Sequence, residues 1–372
     1  MSAHNTANRT DAGNPADVGT RIHEAIGLLA QLIRIPSPSG EEHATADFLQ
    51  RWLADHGVTA SRIGNNIVAG ADDRDASKPT VMLDAHHDTV RPVSSWMRDP
   101  YDPLVDQERI TGLGSNDAGG CVAAMTLTYL ALRGRRDLPF NLVLVLSAEE
   151  EIAGAGGITA VMDAIGPVDL VLVGEPTDMQ LAVAEKGLMV LDCRAHGVAG
   201  HAARATGVNA IGVAMRDIAW LARCELPLRS SQLGPVTMTV TQINAGTQHN
   251  VIPDRCDFVV DVRVTETYQH EEILQALRRG MESELHPRSM RLRPSAIAEH
   301  HPIVTAAHAL GLRRFASPTM SNQALLRVPS VKIGPGRSER SHTAGEYLMI
   351  EELERGLRLY PLLLERYAEF LR

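Results

Sequence analysis

The chain has 372 residues, a formal net charge of −9, 44% hydrophobic residues and 22% charged residues. This length is more than one ordinary core needs, so we expect two domains or one domain with a large insertion. The acidic balance, without a basic stripe, argues against a nucleic-acid partner. No apolar run reaches the ~18 residues of a membrane span, which argues against a membrane partner.

The first 17 residues are small and polar, without the apolar segment of a secretory signal, and we expect them to be disordered. The cysteines are widely scattered and form no CxxC pair, which argues against a disulfide framework or a zinc ribbon. We interpret them as reduced core residues of a cytoplasmic protein; they are Cys121, Cys193, Cys224 and Cys256.

From residue 18 to 186 the hydrophobic pattern alternates between helix and strand. Helices are predicted over 21–33, 41–54, 121–132 and 158–165, where apolar residues recur at helical spacing. Strands are predicted over 63–69, 81–86, 142–151 and 168–175, most of them as continuous Val and Leu runs. The alternation indicates an α/β fold, with a mixed, mostly parallel sheet sandwiched by helices.

The pattern changes near residue 187. Strands over 188–195, 237–243 and 256–264, with helices over 209–222 and 268–285, indicate an inserted α+β domain with an antiparallel sheet. The α/β pattern resumes over 303–315, followed by a strand near 330–333 and a terminal helix over 350–371. We therefore predict a tail at 1–17, a main domain formed by 18–186 and 299–372, and an insertion at 187–298.

Three of the predicted strands end in histidine or carboxylate residues. They are followed by His86-His87-Asp88, by Glu149-Glu150-Glu151 and by Glu175. In open α/β sheets the ligand site lies outside the carboxyl ends of the strands. Histidines and carboxylates are the ligands of hydrolytic metal sites, so the pattern favours a metallohydrolase.

Each of these residues also has a structural interpretation. His86 alone could be a core or surface histidine; as a ligand it would have its tautomer fixed by the Asp88 carboxylate. Asp117, in a glycine-rich loop, could bridge two cations or cap the following helix. Glu175 and His342 are ambiguous singly. Together these residues indicate a metal site more strongly than any one of them does, because their loops are expected at one edge of the sheet.

The triple glutamate is harder to explain structurally. Three consecutive carboxylates after a buried strand repel one another unless cations neutralise them. Adjacent glutamates can divide the work, one binding metal and its neighbour acting as general base. An exposed, solvated turn is the alternative.

These motifs, in this order, resemble the M20 family of zinc peptidases and deacylases, from about Ile22 to the C-terminus. The resemblance implies two divalent metal ions, zinc or alternatively cobalt. It makes Glu150 the general base, Glu151 a ligand and Glu149 a supporting residue. The implied metal ligands are His86, Asp117, Glu151, Glu175 and His342, with Asp117 bridging, His86 and Glu175 on the first metal, and Glu151 and His342 on the second.

The insertion resembles the lid and dimerisation domain of the same family. There the lid histidine, matched by His201, stabilises the oxyanion across a homodimer, while Asn250 and Arg263 match the pair that holds the substrate carboxylate. Gly336 matches a glycine turn that lines the site. Without the resemblance, His201 could be a cap or core residue and Arg263 an ordinary surface residue.

The loop reads Asp117-Ala118-Gly119-Gly120 where the family usually has Asp-Met-Lys-Gly. This departure, with the sequence at 184–188, resembles a side branch of acetylornithine deacetylases and acyl-citrulline or acyl-ornithine hydrolases, enzymes of arginine biosynthesis. The resemblance implies hydrolysis of N-acetyl-L-ornithine or N-acetyl-L-citrulline, small-molecule N-acyl amino acids. A desuccinylase, dipeptidase or carboxypeptidase of the same family is the alternative, distinguished by a pocket near 317–326 that includes Asn322. A non-catalytic binding protein is disfavoured, since every expected ligand and Glu150 are present.

Overall fold

The computed structural model describes residues 15–204 and 206–371. The predicted disordered tail, 1–17, lies outside this range except for its last three residues, which belong to the first helix. The chain forms two compact units. The first comprises Met1–Val183, Ile297–Phe315 and Leu326–Arg372, and the second comprises Ala184–Ala296 and Ala316–Leu325.

The amino-terminal stretch of the first unit alternates helices and strands. Its helices are α1 (Pro15–Ile33), α2 (His43–Asp55), α3 (Gly120–Leu132) and α4 (Ile158–Ile165). Its strands are β1 (Ala60–Ile63), β2 (Asn66–Ala69), β3 (Thr80–His86), β4 (Leu104–Val105), β5 (Arg109–Thr111), β6 (Asn141–Ser147), β7 (Leu170–Gly174) and β8 (Leu181–Glu185).

The second unit is an antiparallel sheet with covering helices. Its strands are β9 (Gly187–His196), β10 (Gly200–His201), β11 (Thr237–Ala245), β12 (Val251–Ile252), β13 (Arg255–Val264), β14 (Glu284–Pro287) and β15 (Ser295–Ala296), and its helices are α5 (Ala210–Leu221) and α6 (His270–Gly280). The main sheet has the order β11-β13-β9-β14. Inward residues of β9 and β13 alternate with polar ones, so one face of the sheet forms a core with the helices.

The chain then returns to the first unit. The remaining elements are α7 (Pro302–Ala309), β16 (Arg314–Ser317), β17 (Ser330–Lys332), β18 (Tyr347–Met349) and α8 (Ile350–Phe370). In this unit the sheet has the order β1-β2-β6-β3-β7-β17-β8. Its four central strands, β6, β3, β7 and β17, run parallel. This arrangement confirms the predicted α/β class.

Helix α3 is buried on nearly all sides, as its continuous apolar sequence requires. It packs on β3, β6 and β7, and α1 and α8 pack against it. The central strand β3 is buried along its whole length. The parallel strands are thus held in a rigid core whose carboxyl edge carries the polar residues. None of the described helices is long and apolar enough to cross a membrane.

Several predicted boundaries are wrong in detail. The strand predicted over 63–69 is the hairpin β1–β2, because Gly64 adopts a positive φ of 59° and allows a tight turn. The helix predicted over 268–285 ends at Gly280, and Glu284–Pro287 instead pair with β9. Strand β6 ends at Ser147, so the triple glutamate lies in the following turn. The small sheet of β4, β5 and β18 was not predicted.

Candidate metal centre

The carboxyl ends of three parallel strands bring the predicted ligands together. Strand β3 lies between β6 and β7, with His86 opposite Ser147 of β6 and Ala85 opposite Gly174 of β7. The turn that carries the three glutamates follows β6, and Glu175 follows β7 directly. His86 therefore stands at the centre of a row of carboxylates.

Asp117 lies between the two predicted ligand histidines. His86 Nε2 is 3.1 Å from Asp117 Oδ1 and 3.9 Å from Glu175 Oε1. His342 Nε2 is 3.0 Å from Glu151 Oε2 and 3.6 Å from Asp117 Oδ2. One carboxylate oxygen of Asp117 thus faces each histidine, which is the arrangement that a bridging ligand needs.

The closest partner of His86 Nδ1 is a main-chain carbonyl. Its Nδ1 lies 3.0 Å from the carbonyl oxygen of Asp88, whereas the Asp88 carboxylate is farther away, at 3.5 Å. An Nδ1–H that donates to this carbonyl leaves the Nε2 lone pair directed towards Asp117 and Glu175. The sequence predicted the carboxylate as the orienting group; the nearer partner is the carbonyl of the same residue.

The Asp88 carboxylate also holds the glutamate turn. Its Oδ1 accepts a hydrogen bond from the Glu150 amide, and its Oδ2 accepts from the Glu151 amide and from Ser39 Oγ, at 3.1, 3.2 and 2.7 Å. Asp88 is fully buried. One carboxylate therefore fixes the backbone of the proposed base and of the proposed ligand next to it.

Glu149 supports the same turn. It adopts a positive φ of 56°, and its carboxylate accepts a hydrogen bond from the Gly156 amide at 2.9 Å. Its own amide donates to the buried Glu42 carboxylate at 3.1 Å. Ser39 and Glu42 were not predicted as site residues. Both belong to the Pro-Ser-Pro-Ser-Gly-Glu-Glu segment, where adjacent turn residues and acids were the available signal.

Crowded carboxylates hold protons in the absence of cations. Burial and the Asp117 carboxylate raise the pKa of Glu175 to about 8. Burial, followed by the charge of Glu175, raises the pKa of Glu150 well above its ordinary range. The hydrogen bond to Glu151 raises the pKa of His342 to about 9. Such a cluster is stabilised when divalent ions replace the protons.

The donor set fits divalent metal ions. Within residues 15–204 and 206–371, two groups have donor atoms within 4.8 Å of one another: His86 with Asp117 and Glu151, and His86 with Glu150 and Glu175. Imidazole nitrogen and carboxylate oxygen are ligands of zinc, and also of cobalt. Oxygens of both Glu150 and Glu151 lie within reach, so the division of roles between them stays a prediction.

Gly119 stands where the M20 family usually has a lysine, and the structure leaves no room for a side chain at this position. A Cβ on Gly119 would lie 2.5 Å from the Gly114 carbonyl oxygen and 2.7 Å from Leu29 Cδ1. In this chain the loop after Asp117 is therefore closed against α1, where a longer residue would force the backbone to move.

The remaining predicted residues are dispersed over both units. Gly336, in the first unit, has a φ of 90°, and a Cβ there would lie 2.5 Å from Asn116 Oδ1. In the second unit, His201 is exposed, and its Nδ1 accepts a hydrogen bond from the Ala203 amide at 3.2 Å. The Ala202 amide donates to the Asn250 carbonyl at 3.0 Å, so Asn250 supports the segment of His201.

Arg263 and Asn322 are also in the second unit. Arg263 lies on β13 and forms a two-point ion pair with Asp261, with Nε–Oδ1 and Nη2–Oδ2 distances of 2.8 and 3.1 Å. Asn322 is buried in a short helical turn next to Ser321, whose hydroxyl donates to Glu185 at 2.8 Å. The only sign of the Asp261 partner in the sequence is its spacing of two residues from Arg263 along a strand.

The metal-free protein is expected to lose stability as the pH rises from about 5 to 9. The folded-state pKa values of Glu175 and Glu346, each about 8, and of His342, about 9, lie above their ordinary values. Their contribution is present below the ordinary values and is lost as the pH rises through the folded ones. Thermal unfolding of chelator-treated protein at pH 5.5, 7 and 8.5 measures this directly.

Two controls test which groups cause this decrease of stability with pH. His342→Ala should make the stability depend less on pH above pH 7, because one of the titrating groups is removed. Metal-loaded protein should show a flat or opposite trend, since metal binding requires deprotonated ligands. A melting temperature of the metal-free protein that rises across this range would contradict the proposed electrostatics.

Fold and site together define a metal-dependent hydrolase. Residues 183–289 match the family described as the M20 peptidase dimerisation domain. The chain is 28% identical to a peptidase M20 domain-containing protein of Schizosaccharomyces pombe, covering 90% of this chain and 82% of the relative. It is 27% identical to a succinyl-diaminopimelate desuccinylase of Dinoroseobacter shibae (70% and 73% covered) and to an acetylornithine deacetylase of Edwardsiella ictaluri (89% and 94% covered).

Solved structures give the same fold. An aminopeptidase from Bacillus cereus superposes with a TM-score of 0.75 at 18% identity, covering 93% of this chain and 99% of the other. A dinuclear metal-binding peptidase of the M20 family from Bacillus subtilis has a TM-score of 0.72 at 18% identity, covering 93% and 98%. The chain thus has the fold of the M20 peptidases, and its residues 183–289 match their dimerisation domain.

Proposed function

We propose that the protein hydrolyses the amide bond of an N-acyl-L-amino acid, giving a carboxylate and a free amino acid, with two divalent ions at the carboxyl edge of the sheet. The observation that carries this proposal is Asp117, whose two oxygens face His86 and His342. Zinc is the proposed ion and cobalt the alternative. Glu175 would complete the first position and Glu151 the second.

The proton transfers are assigned to Glu150. The bound ions would polarise the amide carbonyl and make a water more acidic. Glu150 takes a proton from the attacking water and delivers it to the leaving amine nitrogen. Its partial burial and its raised pKa support this assignment, because a carboxylate with a raised pKa is a stronger base than an ordinary glutamate.

Residues of the second unit are proposed to bind the rest of the substrate. His201 would stabilise the oxyanion, while Asn250 and Arg263 would hold the α-carboxylate. The pair with Asp261 occupies Nε and Nη2 of Arg263, which leaves the Nη1 hydrogens for a ligand. Gly336 and Asn322 are proposed to contribute to the substrate pocket.

The proposed substrates are N-acetyl-L-ornithine and N-acetyl-L-citrulline, which would place the enzyme in arginine biosynthesis. Similarity to an acetylornithine deacetylase over nearly the whole chain supports them. A desuccinylase is the second candidate, supported by the similarity to a succinyl-diaminopimelate desuccinylase. A dipeptidase or carboxypeptidase is supported by a probable carboxypeptidase of Paracoccidioides lutzii at 25% identity, covering 92% of this chain and 85% of the relative.

A hydrolysis assay distinguishes these candidates. Zinc- and cobalt-loaded protein would be incubated with N-acetyl-ornithine, N-acetyl-citrulline, N-succinyl-ornithine, N-succinyl-diaminopimelate and simple dipeptides, and amine release would be measured. The acetyl substrates are expected to give the highest kcat/KM. Faster release from a succinyl substrate or a dipeptide would move the assignment to that class, and release from none would overturn the proposed reaction.

We also propose a homodimer formed through the second unit, supported by the match to a dimerisation domain. His201 would then act on the substrate of the partner subunit. Light scattering on the active protein tests this assembly, and a fully active monomer would contradict the role across subunits. A cytoplasmic location is proposed with it, from the reduced cysteines alone.

A further inference from the structure

Glu346 is a buried carboxylate that the proposed reaction does not use. It is 2% exposed. Its carboxylate accepts three main-chain hydrogen bonds, from the amides of Gly114, Asn116 and Asp117, at 3.1, 2.8 and 2.9 Å. Its carbonyl accepts a fourth from the Gly112 amide at 3.0 Å. One residue therefore holds most of the loop that ends at Asp117.

Asn116 makes the reciprocal connection. Its side-chain nitrogen donates to the Arg337 carbonyl at 3.0 Å and to Ser341 Oγ at 3.3 Å, and its side-chain oxygen accepts from the Arg337 amide at 2.9 Å. Asn116 is fully buried. The loop of Asp117 and the segment that precedes β18 are thus joined from both sides, by one side chain of each.

This connection joins two proposed ligands of the second metal. Asp117 belongs to the first segment, and His342, four residues before Glu346, belongs to the second. His342 has a positive φ of 61° and an exposed imidazole, so neither local backbone preference nor burial fixes its position. Its distance to Asp117 depends on how the two segments are held.

We propose that Glu346 is a positioning residue that sets the spacing of Asp117 and His342 and thereby the affinity of the second metal position. This inference rests on the proposed dinuclear site. The three convergent amides need hydrogen-bond acceptors, which the two oxygens of a carboxylate supply and the single oxygen of a glutamine amide supplies only in part. A carboxylate beside Asp117 is also unfavourable, because the two acidic groups repel each other. The hydrogen bonds to the loop provide a reason for a glutamate at this position.

The test is metal titration of the purified full-length protein. Calorimetry with zinc, and the visible spectrum on titration with cobalt, would be recorded for wild type, Glu346→Gln and Glu346→Ala. We expect the second equivalent to bind ~10–100-fold more weakly in Glu346→Ala, the range for residues that orient metal ligands, with a smaller change for the first equivalent. Glu346→Gln should lie between, since its one oxygen can still accept from two amides.

Glu339→Gln is the matched control, because it removes the same charge from an exposed position in the same segment. It should bind both equivalents as wild type does. Equal loss of both equivalents in Glu346→Ala, or a lowered melting temperature with unchanged metal affinity, would reduce Glu346 to a general structural role. A wild-type protein that binds fewer than two equivalents would instead overturn the dinuclear site itself.

Discussion

Replacing Glu150 by glutamine is expected to lower kcat at least ~100-fold while the protein keeps both metal equivalents, in line with typical general-base contributions. The change removes the proton-accepting oxygen and preserves the shape of the side chain. The backbone should not move, because the Glu150 amide is held by Asp88 and its carbonyl accepts from the Ala153 amide at 2.8 Å. Steady-state kinetics and metal analysis on the same sample provide the two readouts.

Glu151→Gln is the matched comparison for this variant. It makes the same chemical change one residue along the same turn, where the side chain faces His342. We expect it to lose the second equivalent of metal together with activity, whereas Glu150→Gln loses activity alone. A Glu150→Gln variant within tenfold of wild-type turnover would remove Glu150 from the role of base. If Glu150→Gln lost metal and Glu151→Gln kept both equivalents, Glu150 would be the ligand and Glu151 the base.

The central sheet could be predicted because its strands are buried on both faces. Continuous Val and Leu runs give a strong signal for β6 and β7, and β3 begins with the apolar run Val81-Met82-Leu83. The parallel direction of the three strands follows from the helices between them. The short strands β4, β5 and β18 gave no such signal, since two or three residues carry no periodicity. The end of α6 was missed because pairing of β14 with β9 outweighs the helical pattern there.

The proposed ligands could be predicted from the sequence, because most of them lie in short motifs at strand ends or in glycine-rich loops. The groups that hold these ligands in place could not be predicted from the sequence. Asp88 was expected to orient an imidazole, and its carboxylate, 3.5 Å from His86 Nδ1, also binds two backbone amides from a turn 62 and 63 residues away. Glu346 binds amides 229 to 232 residues away. Backbone amides carry no sequence identity, so their acceptors are visible only in the folded chain.

Replacing Asp117 by alanine is expected to weaken binding of both metal equivalents and to lower kcat/KM by ~1000-fold or more. Loss of a proposed bridging ligand should cost more than the 10–100-fold in affinity of a change in a supporting residue. Metal ions contribute several kcal/mol to such reactions, and about 4 kcal/mol corresponds to roughly 1000-fold in rate. The effect should exceed that of Glu150→Gln, which keeps the ions.

Asp117→Asn supplies the graded control, because its amide retains one oxygen where the carboxylate offers two. It should keep one equivalent, bound more weakly, and an activity between those of wild type and Asp117→Ala. Both variants keep the Asp117 amide that donates to Glu346, so the loop should stay in place, and circular dichroism would verify this. Two tightly bound equivalents in Asp117→Ala would exclude a bridging role. The two ions would then have to be held by separate ligand sets.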